Sequence, residues 1–404
     1  MKETKWNSGK SGTAGPLPQP AETRCPREIS AAISSSRREF LRSVSGVAAA
    51  GALYGILPLR AISAQAARKV VVVTFGGGAR DEETFAPDGR ENIPNLLNDL
   101  GPRGTFYTQV INRGILGHYV ATASLATGTY ETFNNFAAVP PANPTVFEYF
   151  RRSLKRRASD AWVVAPSNGF NRIGESGHRS YGAGSGATVV LPKRLLAAAL
   201  AGANSTGYEQ LLRDNYESPV YGQALGTDEP QVHQMAELLQ LSMTDFAHHA
   251  RSLNNPDELS VYIARQLMRQ VAPSLLWITL HDIDVAHSGT YSLYVRAIQN
   301  CDRLCGELWK AIQSEPEYAN KTTMFVLPDF GRDSDFTAGG NGFQHHRTGD
   351  AYSRTTWMLA LGGGVREHQV IDRPVESIDL VPTLGSLLGF STPLSRGTPL
   401  PEVL

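Results

Sequence analysis

The stretch SLLWITL at positions 274–280, followed by HDIDVAHSG at 281–289, carries the strongest information about the fold. Its first part is a continuous apolar run with the length of a buried strand. Its second part places two metal-ligating residue types, aspartate and histidine, directly after that strand. In open α/β sheets, ligands bind beyond the carboxyl ends of the strands. The stretch therefore predicts a parallel strand that ends in a ligand-binding loop.

Two further clusters of the same residue types follow in the last third of the chain. The run TTMFVL at 322–327 leads into PDFGR at 328–332, and FQHH occupies 343–346. Carboxylates and neutral imidazoles at one sheet edge suit a divalent metal such as zinc, and manganese or calcium if oxygens dominate. The candidate metal ligands are Asp282, Asp284, His287, Asp329, His345 and His346. The residues leave open the choice between Asp282 and Asp284, and between His345 and His346.

Strand and helix patterns alternate along the chain from residue 69 onward. The run KVVVVTF at 69–75 reads as a strand buried on both faces, and further strands are predicted at 104–110, 161–164, 322–327 and 356–361. Helices are predicted at 93–100, 117–126, 147–157, 231–254, 257–271, 291–313 and 377–388. Such alternation predicts an α/β fold, a three-layer α/β/α sandwich with a mostly parallel central sheet. The irregular region from 167 to 230 predicts an insertion around 167–272, either a substrate entrance or plain surface loops.

The first 67 residues read as a leader rather than as part of the fold. The motif SRREFLR at 36–42 is that of a twin-arginine signal, and AQA at 64–66 reads as a cleavage site. A disordered leader and signal peptide over 1–67 imply contact with the twin-arginine translocation machinery and a periplasmic or secreted location. A membrane anchor is the alternative, but the apolar stretch is short and rich in glycine.

The composition excludes some classes of partner. Lys plus Arg and Asp plus Glu are equal at 38 each, so nothing suggests a nucleic-acid partner or a basic membrane-binding face. Cys301 and Cys305 are four residues apart on a predicted helix. A disulfide within one regular helix is geometrically awkward, so we expect two packed thiols.

Taken in order, these motifs resemble those of the alkaline phosphatase superfamily, which includes sulfatases, phosphodiesterases and cofactor-independent phosphoglycerate mutases. DVAHSG at 284–289 is similar to its Asp-x-x-Gly-His-x-Gly metal loop with one residue missing, and DFG at 329–331 to its Asp-His-Gly loop. FQHH at 343–346 resembles the segment of its last metal histidine. ATGTY at 126–130 and DLVPTL at 379–384 resemble two further segments. The resemblance implies an alkaline-phosphatase-like domain over 68–404 that hydrolyses small anionic esters.

The departures from that pattern imply that one of the two metal sites is reduced. Gly76 and Gly77 stand where a metal-binding aspartate normally ends the first strand, and Phe330 stands where the second metal's histidine belongs. The segment NRGILGH at 112–118 holds no Ser, Thr or Cys for the nucleophile position. His118, at the predicted helix start, is the catalytic candidate: it could bind an anion there, or act as an unusual nucleophile or base. The alternative is a packed histidine.

Two functional hypotheses follow from the sequence. The first is an exported metal-dependent hydrolase of phosphate or sulfate esters, in which water rather than a side chain attacks. The second is a non-catalytic relative that binds an anionic ligand in the degenerate cleft. Residues 80–83, which read RDEE, could supply a displaced carboxylate or an anion-binding guanidinium, although such residues are also common in solvated loops.

Overall fold

The computed structural model describes residues 68–75, 77–137, 139–200, 206–212, 235–237 and 239–404. The leader with its twin-arginine motif lies outside the described residues, as do Gly76 and the segment 213–234. The helix predicted at 231–254 therefore has only part of its length in the described region, where 243–250 is helical.

The described strands form one eight-stranded sheet in the order β4-β3-β5-β1-β6-β7-β2-β8. Their bounds are β1 Lys69–Phe75, β2 Gly104–Ile111, β3 Ala161–Val164, β4 Thr188–Val190, β5 Leu275–Leu280, β6 Thr322–Leu327, β7 Thr355–Gly362 and β8 Gln369–Glu376. Pairing within this sheet is parallel except at β7, which runs antiparallel to both β6 and β2. The prediction of a mostly parallel sheet is confirmed.

Helices cover both faces of the sheet. Their bounds are α1 His118–Thr127, α2 Val146–Ser153, α3 Pro192–Ala199, α4 Glu209–Leu212, α5 Met243–Ala250, α6 Pro256–Gln270, α7 Tyr291–Ser314, α8 Asp335–Ala338, α9 Ala351–Arg354 and α10 Leu380–Leu388. Short 3-10 turns connect several of them, and Leu96–Leu100 forms a π-helical turn where an ordinary helix was predicted. The predicted helix at 147–157 ends at Ser153.

The core explains why these helices form layers. Along β1, Val71 and Val73 pack into the cluster that includes α6 and α7, whereas Val70 and Val72 pack into the cluster that includes α1, α2 and α10. A strand whose successive side chains are all apolar must be covered on both faces. The three-layer α/β/α sandwich is therefore confirmed. Cys301 and Cys305 are buried free thiols on α7, as expected.

The topology brings the candidate residues together beyond the carboxyl ends of the central strands. Strand β1 lies between β5 and β6 and is parallel to both, so the loops after β5 and β6 leave the sheet side by side. Helix α1 follows β2 and starts close to these two loops. Its first residue, His118, contacts Asp284 in the loop after β5 and Asp329 in the loop after β6. Among the described residues, no helix combines the length and apolarity needed to cross a membrane.

Candidate metal centre

Asp284 lies at the centre of the site, in the 3-10 turn Asp282–Ser288 that follows β5. Its carboxylate is buried, and its Oδ1 lies 3.0 Å from Nε2 of His118 and 3.1 Å from Nε2 of His287. Arg332 donates to the same oxygen through Nη2 at 2.8 Å. Burial raises the pKa of Asp284, but His118, His287 and Arg332 more than offset it and hold the pKa well below its ordinary value. Asp284 is therefore an ionised acceptor.

His346 presents a neutral imidazole to the same point. Its Nδ1 lies 2.9 Å from the carbonyl oxygen of Leu116, which can only accept, so Nδ1 carries the hydrogen. Its Nε2 lies 2.9 Å from Nε2 of His287. Burial, together with the positive His118 and Arg332, lowers the pKa of His346 to about 2. The Nε2 lone pair of His346 is therefore directed into the site.

His118 is the first residue of α1, and both of its ring nitrogens face carboxylates. Nδ1 lies 2.6 Å from Oδ2 of Asp329, and Nε2 lies 3.0 Å from Oδ1 of Asp284. Burial lowers the pKa of His118, but the two carboxylates outweigh burial and raise it to about 10. The ring also stacks on Phe330, with centroids 4.6 Å apart. His118 is therefore fixed by its neighbours rather than directed at open solvent.

Four side chains offer donor atoms that suit one metal ion. The donor atoms of His118, Asp284, His287 and His346, hereafter the four-residue cluster, all lie within 4.8 Å of one another. Ligands at about 2.0–2.1 Å from a tetrahedral zinc ion lie about 3.4 Å from each other. The contacts of 2.9, 3.0 and 3.1 Å within the cluster approach that spacing. Three imidazoles and one carboxylate are also an ordinary zinc donor set, so the residues fit a divalent metal.

Of each pair of residues that the sequence left open, the structure places one member in the four-residue cluster. Asp282 lies outside the four-residue cluster: its Oδ2 accepts from the backbone N–H of Asp257 at 3.2 Å, while its own N–H donates to Oδ2 of Asp257 at 2.9 Å. His345 is exposed, whereas its neighbour His346 is in the cluster. Asp329 contacts the cluster only through Nδ1 of His118.

Comparison with protein-family models gives no match, and comparison with curated proteins gives none either. Solved structures do match. Wild-type alkaline phosphatase PafA aligns at a TM-score of 0.51 and 12% identity, over 84% of this chain and 100% of that chain. The phosphonate monoester hydrolase SpPMH from Silicibacter pomeroyi aligns at a TM-score of 0.50 and 13% identity, over 83% and 76%. The chain has the alkaline phosphatase fold. The fold implied by the sequence motifs is thereby confirmed.

Gly77, Gly78 and Phe330 lie in closely packed surroundings at this end of the sheet. Gly77 has φ +93°, and a Cβ there would lie 2.5 Å from the backbone nitrogen of Asp284. A Cβ on Gly78 would lie 2.7 Å from the carbonyl oxygen of Phe330. The Phe330 ring is fully buried and contacts the rings of both His118 and His346. The backbone after β1 thus packs directly against the two loops where the resemblance implied an aspartate.

Two residues that sequence reasoning did not single out support the site. Arg332 is fully buried and donates to the carbonyl oxygens of Gly78 and Phe343, each at 3.0 Å, as well as to Asp284. The sequence feature that could have identified Arg332 is its position in the PDFGR run, two residues after Phe330. Asn135 accepts at Oδ1 from the N–H groups of Tyr119 at 2.9 Å and Val120 at 3.3 Å. Asn135 thus occupies the N-terminus of α1, and no local sequence pattern links it to that helix.

The idea that Arg80 binds an anionic ligand is not supported by its contacts. Arg80 is buried and donates to both carboxylate oxygens of Glu83 and to Oδ1 of Asp335. A guanidinium whose donors already face two carboxylates has its charge compensated. Arg80 therefore ties the turn after β1 to α8.

A cleft adjoins the metal loop. It has a volume of about 1240 Å³, and His281 and Asp282 line it. Lys193 of α3, His249 of α5, residues of α6 and residues of α7 form its other walls. Burial is the main cause that lowers the pKa of His281 to about 3, so this histidine is neutral where the cleft meets the metal loop.

Proposed function

We propose that this chain is an exported hydrolase of phosphate or sulfate esters that works with one divalent metal ion. The observation that carries the proposal is the convergence of two imidazole nitrogens and one carboxylate oxygen, from His287, His346 and Asp284, on one point. PafA and SpPMH, which share the fold, are by their names an alkaline phosphatase and a phosphonate monoester hydrolase. Export is supported by the twin-arginine motif at 36–42.

Asp284, His287 and His346 hold the metal in this proposal. These residues would hold a divalent cation, which would supply Lewis-acid chemistry at an ester oxygen and lower the pKa of a water molecule. Two of the three ligands are held in place by hydrogen bonds. Arg332 donates to the Asp284 carboxylate, and the Leu116 carbonyl accepts from the ring of His346. The side chain of His287 is 37% exposed, so solvent reaches the site at this ligand.

The cleft beside His281 and Asp282 is the proposed substrate entrance. Its walls come in part from α3, α5 and α6, which lie within the insertion predicted around 167–272. Lys193, Arg265 and Arg296 on these walls offer positive charge to an anionic ester, although Glu258 and Glu307 line the same cleft. This mixed lining favours an ester with a polar leaving group over a purely anionic substrate.

Metal content and hydrolysis test the proposal together. The exported protein should contain one equivalent of zinc or another divalent metal by elemental mass spectrometry. It should hydrolyse at least one of an aryl phosphate, an aryl sulfate and a bis-aryl phosphodiester. His346→Gln should lose both properties, while His345→Gln, which changes the exposed neighbour, should keep both. Metal-free wild-type protein with unchanged activity would contradict the proposal.

The proposed export has its own test. Expressed with its leader, the wild-type chain should appear in the periplasmic fraction with a new N-terminus near residue 67. A double substitution, Arg37→Lys with Arg38→Lys, should leave it in the cytoplasm, because the twin-arginine receptor reads that pair. Equal export of both forms would argue against this route.

A second candidate is a non-catalytic protein that binds an anionic ligand and keeps one metal. The observation in its favour is the start of α1, where His118 stands at the nucleophile position and Asn135 occupies the N–H groups of Tyr119 and Val120. Under this reading, the protein binds metal but hydrolyses none of the three substrates. Inorganic phosphate or sulfate should then raise its melting temperature more than chloride at equal ionic strength. Measurable turnover would exclude this candidate.

A further inference from the structure

We propose that His118 is a fourth ligand of the metal, and that Asp329 is the carboxylate that orients it. The inference rests on the metal site proposed above and deepens it. It gives a role to the histidine at the nucleophile position and to a carboxylate that lies outside the four-residue cluster.

His118 and His287 lie at nearly the same distance from Asp284. Their Nε2 atoms lie 3.0 and 3.1 Å from the same oxygen, Oδ1 of Asp284. His118 meets His346 ring to ring, with centroids 4.9 Å apart and an interplanar angle of 67°. Two imidazoles thus contact one carboxylate oxygen, and the donor atoms of these two histidines, of Asp284 and of His346 all lie within 4.8 Å of one another. A metal held by three of these atoms would have the fourth within reach.

Asp329 supplies what a metal-bound histidine ordinarily has on its other nitrogen. Ligating histidines donate the second ring N–H to a carboxylate or a backbone carbonyl, which fixes the tautomer and the ring orientation. Asp329 accepts from Nδ1 of His118 at 2.6 Å, and its side chain is 1% exposed. The Leu116 carbonyl does the same for Nδ1 of His346. Two of the three imidazoles therefore have the partner expected of metal ligands.

The surroundings hold the His118 ring in this orientation. Phe330 stacks on one face of the ring, and His281 approaches it edge-on with centroids 4.9 Å apart. The side-chain amide of Asn112 donates to the backbone oxygen of Asp329 at 3.1 Å, and Oδ1 of Asp329 accepts from the N–H of Phe330 at 3.1 Å. Asp329 is therefore itself held in place, as a positioning residue must be.

A fourth protein ligand changes the number of open positions expected at the metal. Three protein ligands leave a tetrahedral zinc ion one open position, whereas four fill it. Turnover with four protein ligands therefore requires that the coordination number rises to five. A metal on Nε2 of His118 would displace the proton from that nitrogen. In the rival arrangement His118 keeps both ring protons, bridges Asp284 and Asp329, and does not contact the metal.

X-ray absorption spectroscopy at the metal edge separates the two arrangements, because it counts imidazole ligands. Wild-type holoprotein should show three imidazoles, and His118→Gln should show two. His345→Gln is the matched control and should keep three. A wild-type spectrum with two imidazoles would overturn the inference while leaving the proposed metal site intact. A protein without metal would instead contradict the proposed function. The wild-type spectrum decides the question even if His118→Gln fails to fold.

Asp329→Asn tests the positioning role. It removes the charge beside Nδ1 but no ligand atom, so the spectrum should still show three imidazoles. Loss of an outer-shell partner typically lowers metal affinity about 10–100-fold, and we expect that loss in a competition assay with a chelator. Affinity equal to that of the wild type would contradict the role of Asp329.

Discussion

The imidazole of His118 stacks on the ring of Phe330, with their centroids 4.6 Å apart and their planes inclined by 26°. These are the positions at which the motif resemblance places the nucleophile and a histidine of the second metal. Two buried rings in van der Waals contact leave no volume for an ion between them. The two rings are therefore packed against each other, and a single substitution should not open a metal position between them.

Restoring the missing histidine alone should not restore a second metal. In Phe330→His, Gly77 still packs against the backbone of Asp284 and offers no carboxylate. His118 still holds Asp329. We expect the variant to contain no more metal than the wild type by elemental mass spectrometry. Two equivalents per chain would show that the second site needs only this one ligand.

Gly77 should be intolerant of any side chain. A Cβ there would lie 2.5 Å from the nitrogen of Asp284, and its φ of +93° disfavours other residues. Overpacking and left-handed strain together predict that Gly77→Ala lowers the free energy of unfolding by about 3 kcal/mol. Gly184 is the matched control, because its φ is +84° but nothing lies within 4 Å of its added Cβ. Gly184→Ala should cost about 1 kcal/mol. Equal losses in urea unfolding would contradict this explanation.

Substitutions of Asp284 and of His287 should have the same effect on metal binding but different effects on the stability of the metal-free protein. Both Asp284→Asn and His287→Gln should abolish metal binding. Asp284→Asn also leaves the fully buried Arg332 without a carboxylate partner, which predicts a loss of about 3–5 kcal/mol in the metal-free protein. His287 is 37% exposed, so His287→Gln should change that stability by less than about 0.5 kcal/mol. Chemical unfolding in the presence of a chelator measures both, and metal retention by either variant would contradict the proposed ligand set.

The carboxyl pair Asp257 and Asp282 should make stability depend on pH. Burial raises the pKa of Asp257 to about 6, and burial followed by the charge of Asp257 raises the pKa of Asp282 well above its ordinary value. The folded state then binds more protons than the unfolded state. This contribution is therefore full below pH 3.8, the ordinary pKa of an aspartate, and is lost as the pH rises through about 6.

Asp282→Asn tests that relationship. The amide oxygen can still accept from the N–H of Asp257, while the like charge is removed. The fall in the free energy of unfolding between pH 4 and pH 7 should shrink by about 1 kcal/mol relative to the wild type. Unfolding at several pH values in chelator measures it, with the exposed Asp88→Asn as the control. An unchanged slope would indicate that the pair does not titrate in this range.

The central strands could be predicted from sequence because strands buried on both faces consist largely of apolar residues. Strands β1, β5 and β6 lie in the middle of the sheet and are buried along their whole length, so they read as continuous apolar runs. The two missed strands, β4 and β8, are the two edges. Strand β4 has three residues, and β8 carries Pro374 and has one buried residue, Val375. Edge strands tolerate proline and polar residues, so their pattern resembles that of a loop.

The sequence by itself determined the layered α/β architecture, the order of the ligand clusters and the absence of a hydroxyl or thiol nucleophile at the start of α1. These follow from local patterns and from residue identities at fixed spacing. The tertiary structure decided which members of each cluster meet. Asp282 and Asp284 are two residues apart in one tight turn, yet one faces Asp257 and the other faces His118. The direction of a side chain from a turn depends on what packs against it from distant parts of the chain, and here those parts are α6, α1 and the loop that carries Arg332.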